Sequence, residues 1–397
     1  MTERKMTLRS LPAPPLVLLA VSFVALGVLF AALRVPMPDA LVYRAEGAAV
    51  LHGRDLYGFE VTAGRLPATY PPFAAVLFVP TALLPVPALK AAFLAGNALL
   101  LAWLVHLSAR LAGRATTPAP LCAATALAAW CEPVFQTFRY GQINIALACL
   151  VLWDLTRPPG ARGRGAAIGV AAGIKLTPGL FAVYLLLRGR GREAATATAA
   201  FAGSVALGAL VQPAASVAYW TRHVFETDRV GKLWIIDNQS LQGLIARLLR
   251  NPGPGLAWLL PALAVAGAGL WLARRAPRER WGVLLTALTA LLVSPISWSH
   301  HWVWCVPLTA VLLAEGHRAW AAVTALCFTA RTMWLVPHAD GLPLRLPWWQ
   351  QPLASPYALL ALALLTAAAL ERGPGRRAPG GDAEPVRLPR PAARPRP

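Results

Sequence analysis

Apolar residues along this chain gather into long runs separated by short polar or basic breaks. The first run extends from Pro14 to Leu33, and others cover about 71–86, 88–109, 118–135, 138–156, 166–187, 194–215, 255–273, 281–297, 301–316, 318–336 and 353–370. A helix needs about 20 such residues to cross the hydrocarbon core of a bilayer, so several runs are long enough and several fall short. The pattern predicts an all-α, polytopic transmembrane helical protein. Two runs carry the means of their own interruption. The run 71–86 opens with Pro71-Pro72 and holds Pro80, and the run 166–187 has Lys175 near its middle, followed by Pro178. Proline removes a helix hydrogen bond, so both are expected to be broken or re-entrant. The expected architecture is about 10 full spans plus these two irregular segments.

Composition agrees with that reading. Hydrophobic residues make up 57% of the 397 and charged residues only 14%, which excludes a set of soluble domains. Lys and Arg number 37 against 17 Asp and Glu, a formal charge of +20. Binding to nucleic acid would need those cations on one face of a folded domain, and here they lie between apolar runs and at both ends, so no nucleic-acid partner is expected. The clusters Arg110/Arg114, Arg157/Arg162/Arg164, Arg188/Arg190/Arg192 and Arg274/Arg275/Arg278/Arg280 mark cytoplasmic loops. Arg4, Lys5 and Arg9 precede a first run too long for a typical signal peptide, which makes it an uncleaved span with the N-terminus inside. The C-terminus is then cytoplasmic too, in a multi-pass protein of the cell membrane. Residues 1–370 form the transmembrane unit, and 371–397, with seven Arg and seven Pro, are expected to be a disordered tail. The outward surfaces are 35–70, 138–142, 216–254, 294–302 and 337–352. Cys122, Cys131, Cys149, Cys305 and Cys327 sit in apolar segments without metal-site spacing.

Unusual polar residues concentrate on the outward surfaces. Asp39, Glu46 and Asp55 follow the first span, and a carboxylate desolvated at the mouth of a membrane cavity can serve as a general base. Pro36 and Pro38 stiffen the approach to Asp39. If a helix starts there, Tyr43 and Glu46 share its face, and Asp39 could equally be the helix N-cap. Lys175 is the sole charge in its apolar run, with a lipid phosphate as the obvious partner unless the side chain snorkels to an interface. In 216–254 the aromatic and cationic residues before Asn238, Gln239 and Ser240 suit either a sugar or headgroup surface or an aromatic belt. The turn SPISWSHHWVW sets His300 and His301 beside Trp298. Neighbouring histidines point to different sides of a helix, so they are poor joint metal ligands, but either could donate to a phosphate or hydroxyl.

Taken in order, Asp39 to Tyr43 (DALVY), Leu56-Tyr57, Tyr70-Pro71-Pro72-Phe73, Gly141-Gln142-Ile143-Asn144, Lys175-Leu176-Thr177-Pro178, Asn238-Gln239-Ser240-Leu241 and Ser294 to Trp302 resemble glycosyltransferase family 87. This family comprises actinobacterial polytopic mannosyltransferases, including the alpha-1,2-mannosyltransferase of phosphatidylinositol mannoside synthesis. The Ala-, Arg-, Gly- and Pro-rich composition suits a high-GC actinobacterium. The resemblance implies a GT-C type fold and an inverting transfer of mannose from a polyprenyl-phosphate-mannose donor to a glycolipid or glycan acceptor, with an alpha-1,2-type linkage, outside the cytoplasm. It implies an aspartate base, which maps onto Asp39. Substrate-binding positions would be Tyr43, Glu46, Tyr70, Gln142, Asn144, Lys175, Asn238, Gln239, Ser240, Trp298, His300 and His301. No cofactor, metal or obligate protein partner is expected beyond the lipid substrates and the bilayer. The competing reading is a transporter or flippase of a lipid-linked sugar; such proteins commonly carry paired broken helices in internal repeats, and no repeat is evident here.

Overall fold

The computed structural model describes residues 13–371 except 63 and 340. Arg4, Lys5, Arg9 and the tail expected over 371–397 therefore lie, apart from Glu371, outside the described residues. Helices dominate, and the departure from an all-α chain is a two-residue antiparallel hairpin in which Glu60–Val61 pairs with Leu66–Pro67. Among the described residues four helices are long and apolar enough to cross a membrane: Pro14–Ala32, Val86–Leu111, Gly191–Val211 and Leu256–Arg275. A further candidate bends by 83° between Trp348–Ala354 and Pro356–Leu370. Other apolar runs fold as shorter pieces. The runs 118–135 and 138–156, for example, become Pro118–Ala128, Glu132–Tyr140 and Asn144–Leu155, with Gly141 in the left-handed region at the end of the middle helix.

Both runs expected to break do so. Pro72–Leu77 and Val79–Ala82 are short helices ahead of Val86–Leu111. In the other run, helix Ala166–Ile174 stops where Lys175 takes extended backbone angles (φ −149°, ψ 125°), and a 3-10 turn, Thr177–Gly179, leads into Leu180–Leu187. The first half of that broken span is fixed by small residues at four-residue spacing. Gly169 and Gly173 lie so close to Ala197, Ala200 and Ser204 of helix Gly191–Val211 that a Cβ on either would collide. Lipid tails are as apolar as the helix surfaces, so association inside a membrane depends on such close backbone approach.

The basic clusters predicted to share one side assemble at one end of the molecule. Arg110 donates to the Thr156 carbonyl and Arg114 to that of Ala314. Arg164 lies 3.4 Å from both Glu193 and Glu279, Arg190 bonds Glu279 as well, and Arg188 reaches the carbonyls of Arg274 and Ala276. Glu315 takes Arg278 and Arg280 at 2.9 Å each. Buried Asp154 accepts from the N–H groups of Gly165 and Ile168, which satisfies two of the open donors at the start of helix Ala166–Ile174. From this end, helices Asn144–Leu155, Ala166–Ile174 and Glu279–Val293 each run away to finish at Asn144, Lys175 and Ser294 respectively. At 1.5 Å per residue the three finish about 14–22 Å from the basic end.

Candidate active site

Asp39 reaches the site because the preceding backbone makes a sharp entry. Helix Pro38–Leu51 is capped by Met37 in the left-handed region (φ 52°), with Pro38 and Asp39 as its first two residues. Asp39 is therefore not the N-cap, which corrects the alternative raised from the sequence and leaves its carboxylate free for other work. Gly141, at φ 69°, lies against this turn; a Cβ there would come within 2.7 Å of Ala40 Cβ. That close approach lets the following residue, Gln142, hydrogen-bond the Asp39 side chain. Burial raises Asp39 to about 6, opposed by the Gln142 bond and the charge of Lys175.

Gln142 is the hub. Its Oε1 accepts from Tyr43 Oη at 2.9 Å, from Asn144 Nδ2 at 3.2 Å and from Tyr70 Oη at 3.5 Å, while its backbone carbonyl accepts from Asn97 Nδ2 at 3.2 Å. Tyr43 and Tyr70 also meet hydroxyl to hydroxyl at 3.2 Å. Asn144 passes the chain on, since Lys175 Nζ donates to its Oδ1 at 3.1 Å. Nζ also lies 2.7 Å from His301 Nε2, which accepts from the ammonium if the imidazole is neutral and protonated at Nδ1. The Tyr70 ring lies 5.8 Å away from Nζ. Among the described residues no carboxylate lies within ion-pair distance of Lys175, whose neighbours are a neutral amide, an imidazole and an aromatic face. A cation held this way at membrane depth lacks its counter-charge and faces open space where an anion fits.

That space is a cavity of about 520 Å³ whose wall includes Asp39, Tyr43, Tyr70, Gln142, Lys175, Trp298, His300 and His301. Eight of the thirteen residues singled out from the sequence thus converge on one hollow, and Asn144 stands behind it on Lys175. His300 packs edge-on against Tyr140 at 5.3 Å and against His301 at 4.8 Å, and neither of its ring nitrogens has a hydrogen-bond partner among the described residues. From Lys175 a second, largely apolar groove continues between helices, past Leu147, Val151, Leu291 and the stacked pair Phe181 and Trp304.

The structure does not bring the other four residues to the cavity. Asn238, Gln239 and Ser240 are fully buried, which corrects their expected role as substrate contacts. Asn238 Nδ2 donates to the carbonyls of Leu233 and Pro295, and its Oδ1 accepts from the N–H groups of Ser240 and Ser297. Gln239 donates to the Ile236 and Ala354 carbonyls and accepts from Tyr357 N–H. Ser240 caps helix Leu241–Leu249 by accepting from Gly243 N–H. Together they fasten the loop rather than present it. Glu46 is also buried and faces the backbone N–H groups of Thr69 and Tyr70, and burial raises it to about 8. Seven residues past Asp39 it does share a helix face, but about 10 Å further along, where the segment leading to Tyr70 covers it. Tyr140 lines the cavity although the sequence does not single it out, and so do Arg229 and Asp237 of the outward loop 216–254. Arg229 donates to the carbonyls of Ala68 and Tyr57, which holds the first and third outward loops together.

The cavity sets a buried carboxylate near a cation that has no ion-pair partner among the described residues, at the head of an apolar groove. The chain belongs to glycosyltransferase family 87, whose profile matches residues 68–295. Curated relatives include the polyprenol-phosphate-mannose-dependent alpha-(1-2)-phosphatidylinositol mannoside mannosyltransferase of Mycobacterium tuberculosis, 37% identical over 84% of each chain. The corresponding enzyme of Mycolicibacterium smegmatis is 35% identical over 82% of each. A Mycobacterium tuberculosis phosphatidylinositol pentamannoside mannosyltransferase of the same donor dependence is 35% identical over 77% of this chain and 72% of its own. Among solved structures, ArnT from Cupriavidus metallidurans bound to undecaprenyl phosphate overlaps 88% of this chain and 76% of its own at a TM-score of 0.41 and 17% identity. Family membership makes this membrane protein a glycosyltransferase and sets aside the transporter reading. Asp39, Tyr43, Trp298, His300 and His301 lie outside the stretch matched by the family profile, so their placement around the cavity is information from the fold.

Proposed function

We propose that this protein transfers mannose from a polyprenyl-phosphate-mannose donor to a phosphatidylinositol mannoside or related glycan acceptor, with inversion, forming an alpha-1,2 linkage. The observation that carries the reading is Lys175, held by Asn144 and His301 at the junction of a polar cavity and an apolar groove. The donor phosphate lies at the ammonium and its polyprenyl chain leaves along the groove toward lipid. Asp39, on the cavity wall, takes the proton from the attacking acceptor hydroxyl. Breaking the sugar–phosphate bond leaves one more negative charge on the phosphate, which Lys175 stabilises more strongly in the transition state than in the ground state. Phosphate departs without protonation, so one base suffices, unlike the carboxyl pair of a glycoside hydrolase.

In the membrane the basic end faces the cytoplasm and the cavity opens toward the outer side, within a GT-C type arrangement of about ten crossings. The gathering of the cytoplasm-type basic loops at one end supports this orientation.

Two outcomes follow. Because a lysine meets the phosphate charge, transfer of label from polyprenyl-phosphate-mannose to phosphatidylinositol mannoside should survive EDTA; loss of activity restored by Mg²⁺ or Mn²⁺ would place the phosphate neutralisation elsewhere. The base works only when ionised, and burial moves its titration up from the usual carboxylate range to about 6. The acid limb of kcat/KM should therefore fall through about pH 6, approaching tenfold per unit below it. A profile flat down to about pH 4.5 would remove Asp39 from the reaction.

A further inference from the structure

The loop around Asn238 is held more firmly than a connection requires. Buried Arg247 donates to the carbonyls of Ile235 at 2.8 Å and Asn238 at 3.1 Å and to Ser355 Oγ at 2.9 Å. Gly243 sits beneath the Asn238 carbonyl, where a Cβ has no room. Asn238 and Trp298 form an isolated antiparallel bridge, and Gln239 N–H donates to the Ser297 carbonyl at 2.8 Å. Two backbone segments distant in sequence are thus locked together at the cavity edge. Beside the apolar Ile235, Pro295 and Ile296, they bring to its wall a carboxylate residue, Asp237, and an indole, Trp298.

Asp237 has no ion pair among the described residues; the group that most favours its charged form is its own backbone N–H. Burial raises it to about 6, with Arg247 the strongest cation acting on it, whereas Lys175 plays that part for Asp39. The two carboxylates also reach the wall from different elements, Asp39 from the start of helix Pro38–Leu51 and Asp237 from the segment bridged to Trp298. A carboxylate repels a phosphate, so the Asp237 part excludes the donor head and suits a neutral polyol. Its two oxygens accept from two hydroxyls of a sugar ring, and an indole face takes the ring's apolar side. Buried His300, with both ring nitrogens unpartnered among the described residues, stands on the same wall.

We infer that Asp237 is the acceptor-recognition residue: it accepts hydrogen bonds from acceptor-sugar hydroxyls other than the one that attacks, while Trp298 supports the ring. The inference rests on the glycosyltransfer reading and assigns the acceptor half of the cavity. Its test uses the intact enzyme, polyprenyl-phosphate-mannose, and octyl alpha-mannoside with its single-deoxy analogues. Asp237→Asn should raise KM for octyl alpha-mannoside by roughly tenfold to a hundredfold, the loss typical of hydrogen bonds to a charged group. Donor KM and the slow hydrolysis of donor by water should change little, and an acid limb near pH 6 should persist, because Asp39 titrates there as well as Asp237. At least one deoxy analogue should cost the unaltered enzyme a similar factor and cost Asp237→Asn little. Unchanged acceptor KM in the variant, or a series in which no deoxygenation matters to the unaltered enzyme, overturns the assignment. Loss of donor hydrolysis together with transfer, at unchanged acceptor KM, also overturns it and makes Asp237 the base. If Asp237→Asn fails to fold, Asp237→Glu, which keeps the charge but displaces it, takes its place in the same comparison. Failure of the glycosyltransfer reading itself shows differently, as no label leaving the donor in the unaltered enzyme.

Discussion

Asp39→Asn is expected to lower mannosyl transfer by about a hundredfold or more, with no loss of folded protein. A positioned general base contributes roughly 100- to 10,000-fold, and an amide of the same shape cannot take the proton. Folding should be unharmed because Met37, not Asp39, occupies the N-cap position, so no cap is lost. The carboxylate is also held in an environment that disfavours its charge, so a neutral isostere relieves a cost. Donor binding should change little, since Lys175, Asn144 and His301 remain in place. The check is a comparison of kcat, donor KM and thermal unfolding for the purified variant. Near-normal turnover by Asp39→Asn would falsify the assignment of the base.

The second large effect is expected at Lys175. Lys175→Met keeps the aliphatic stem and removes the charge, and should raise donor KM or lower kcat, together costing roughly thirtyfold or more in kcat/KM for the lipid donor. Truncating one partner of a buried charge pair costs about 2–5 kcal/mol, much of it from the charge left alone, here the donor phosphate. Acceptor KM should be nearly unchanged. The yield of folded protein should not fall, because an unpaired cation at membrane depth is costly by itself, about 2.5–3.5 kcal/mol on insertion scales. Unaltered donor kinetics with a reduced folded yield would mean that the lysine supports the fold through Asn144 and His301 and does not meet the phosphate.

Both residues are legible in the amino-acid sequence, for different reasons. Lys175 stands out because a charge inside an apolar run has few explanations, and Pro178 forecasts the break that frees it. Asp39 stands out through its prolines, but those same prolines invite the N-cap alternative. Sequence cannot show that Met37 adopts φ 52° and moves the cap one position ahead of Pro38. Asn238, Gln239 and Ser240 mislead for a related reason. A run of small polar side chains looks the same whether it meets a ligand or satisfies backbone groups, and the groups it satisfies, at Leu233, Pro295, Ser297 and Ala354, are up to 115 residues distant in sequence. Asp237 is inconspicuous beside them because only the bridge between Asn238 and Trp298 shows that the loop is aimed at the cavity. Glu46 shows the limit of a helical wheel, which gives the face of a side chain but not what covers it two turns on. The helix count is the least legible feature. Gly, Pro and Lys interrupt the apolar runs, and hydropathy cannot tell a broken crossing from a helix that turns back.

The most direct test gives the purified protein, in lipid vesicles, radiolabelled polyprenyl-phosphate-mannose and a phosphatidylinositol mannoside acceptor, beside a parallel sample supplied with labelled GDP-mannose alone. The account predicts label in a larger phosphatidylinositol mannoside, released by an alpha-1,2-mannosidase, from the lipid donor and none from the nucleotide sugar. Label moving from GDP-mannose, or labelled donor crossing the vesicle bilayer with no glycosidic product formed, would contradict it.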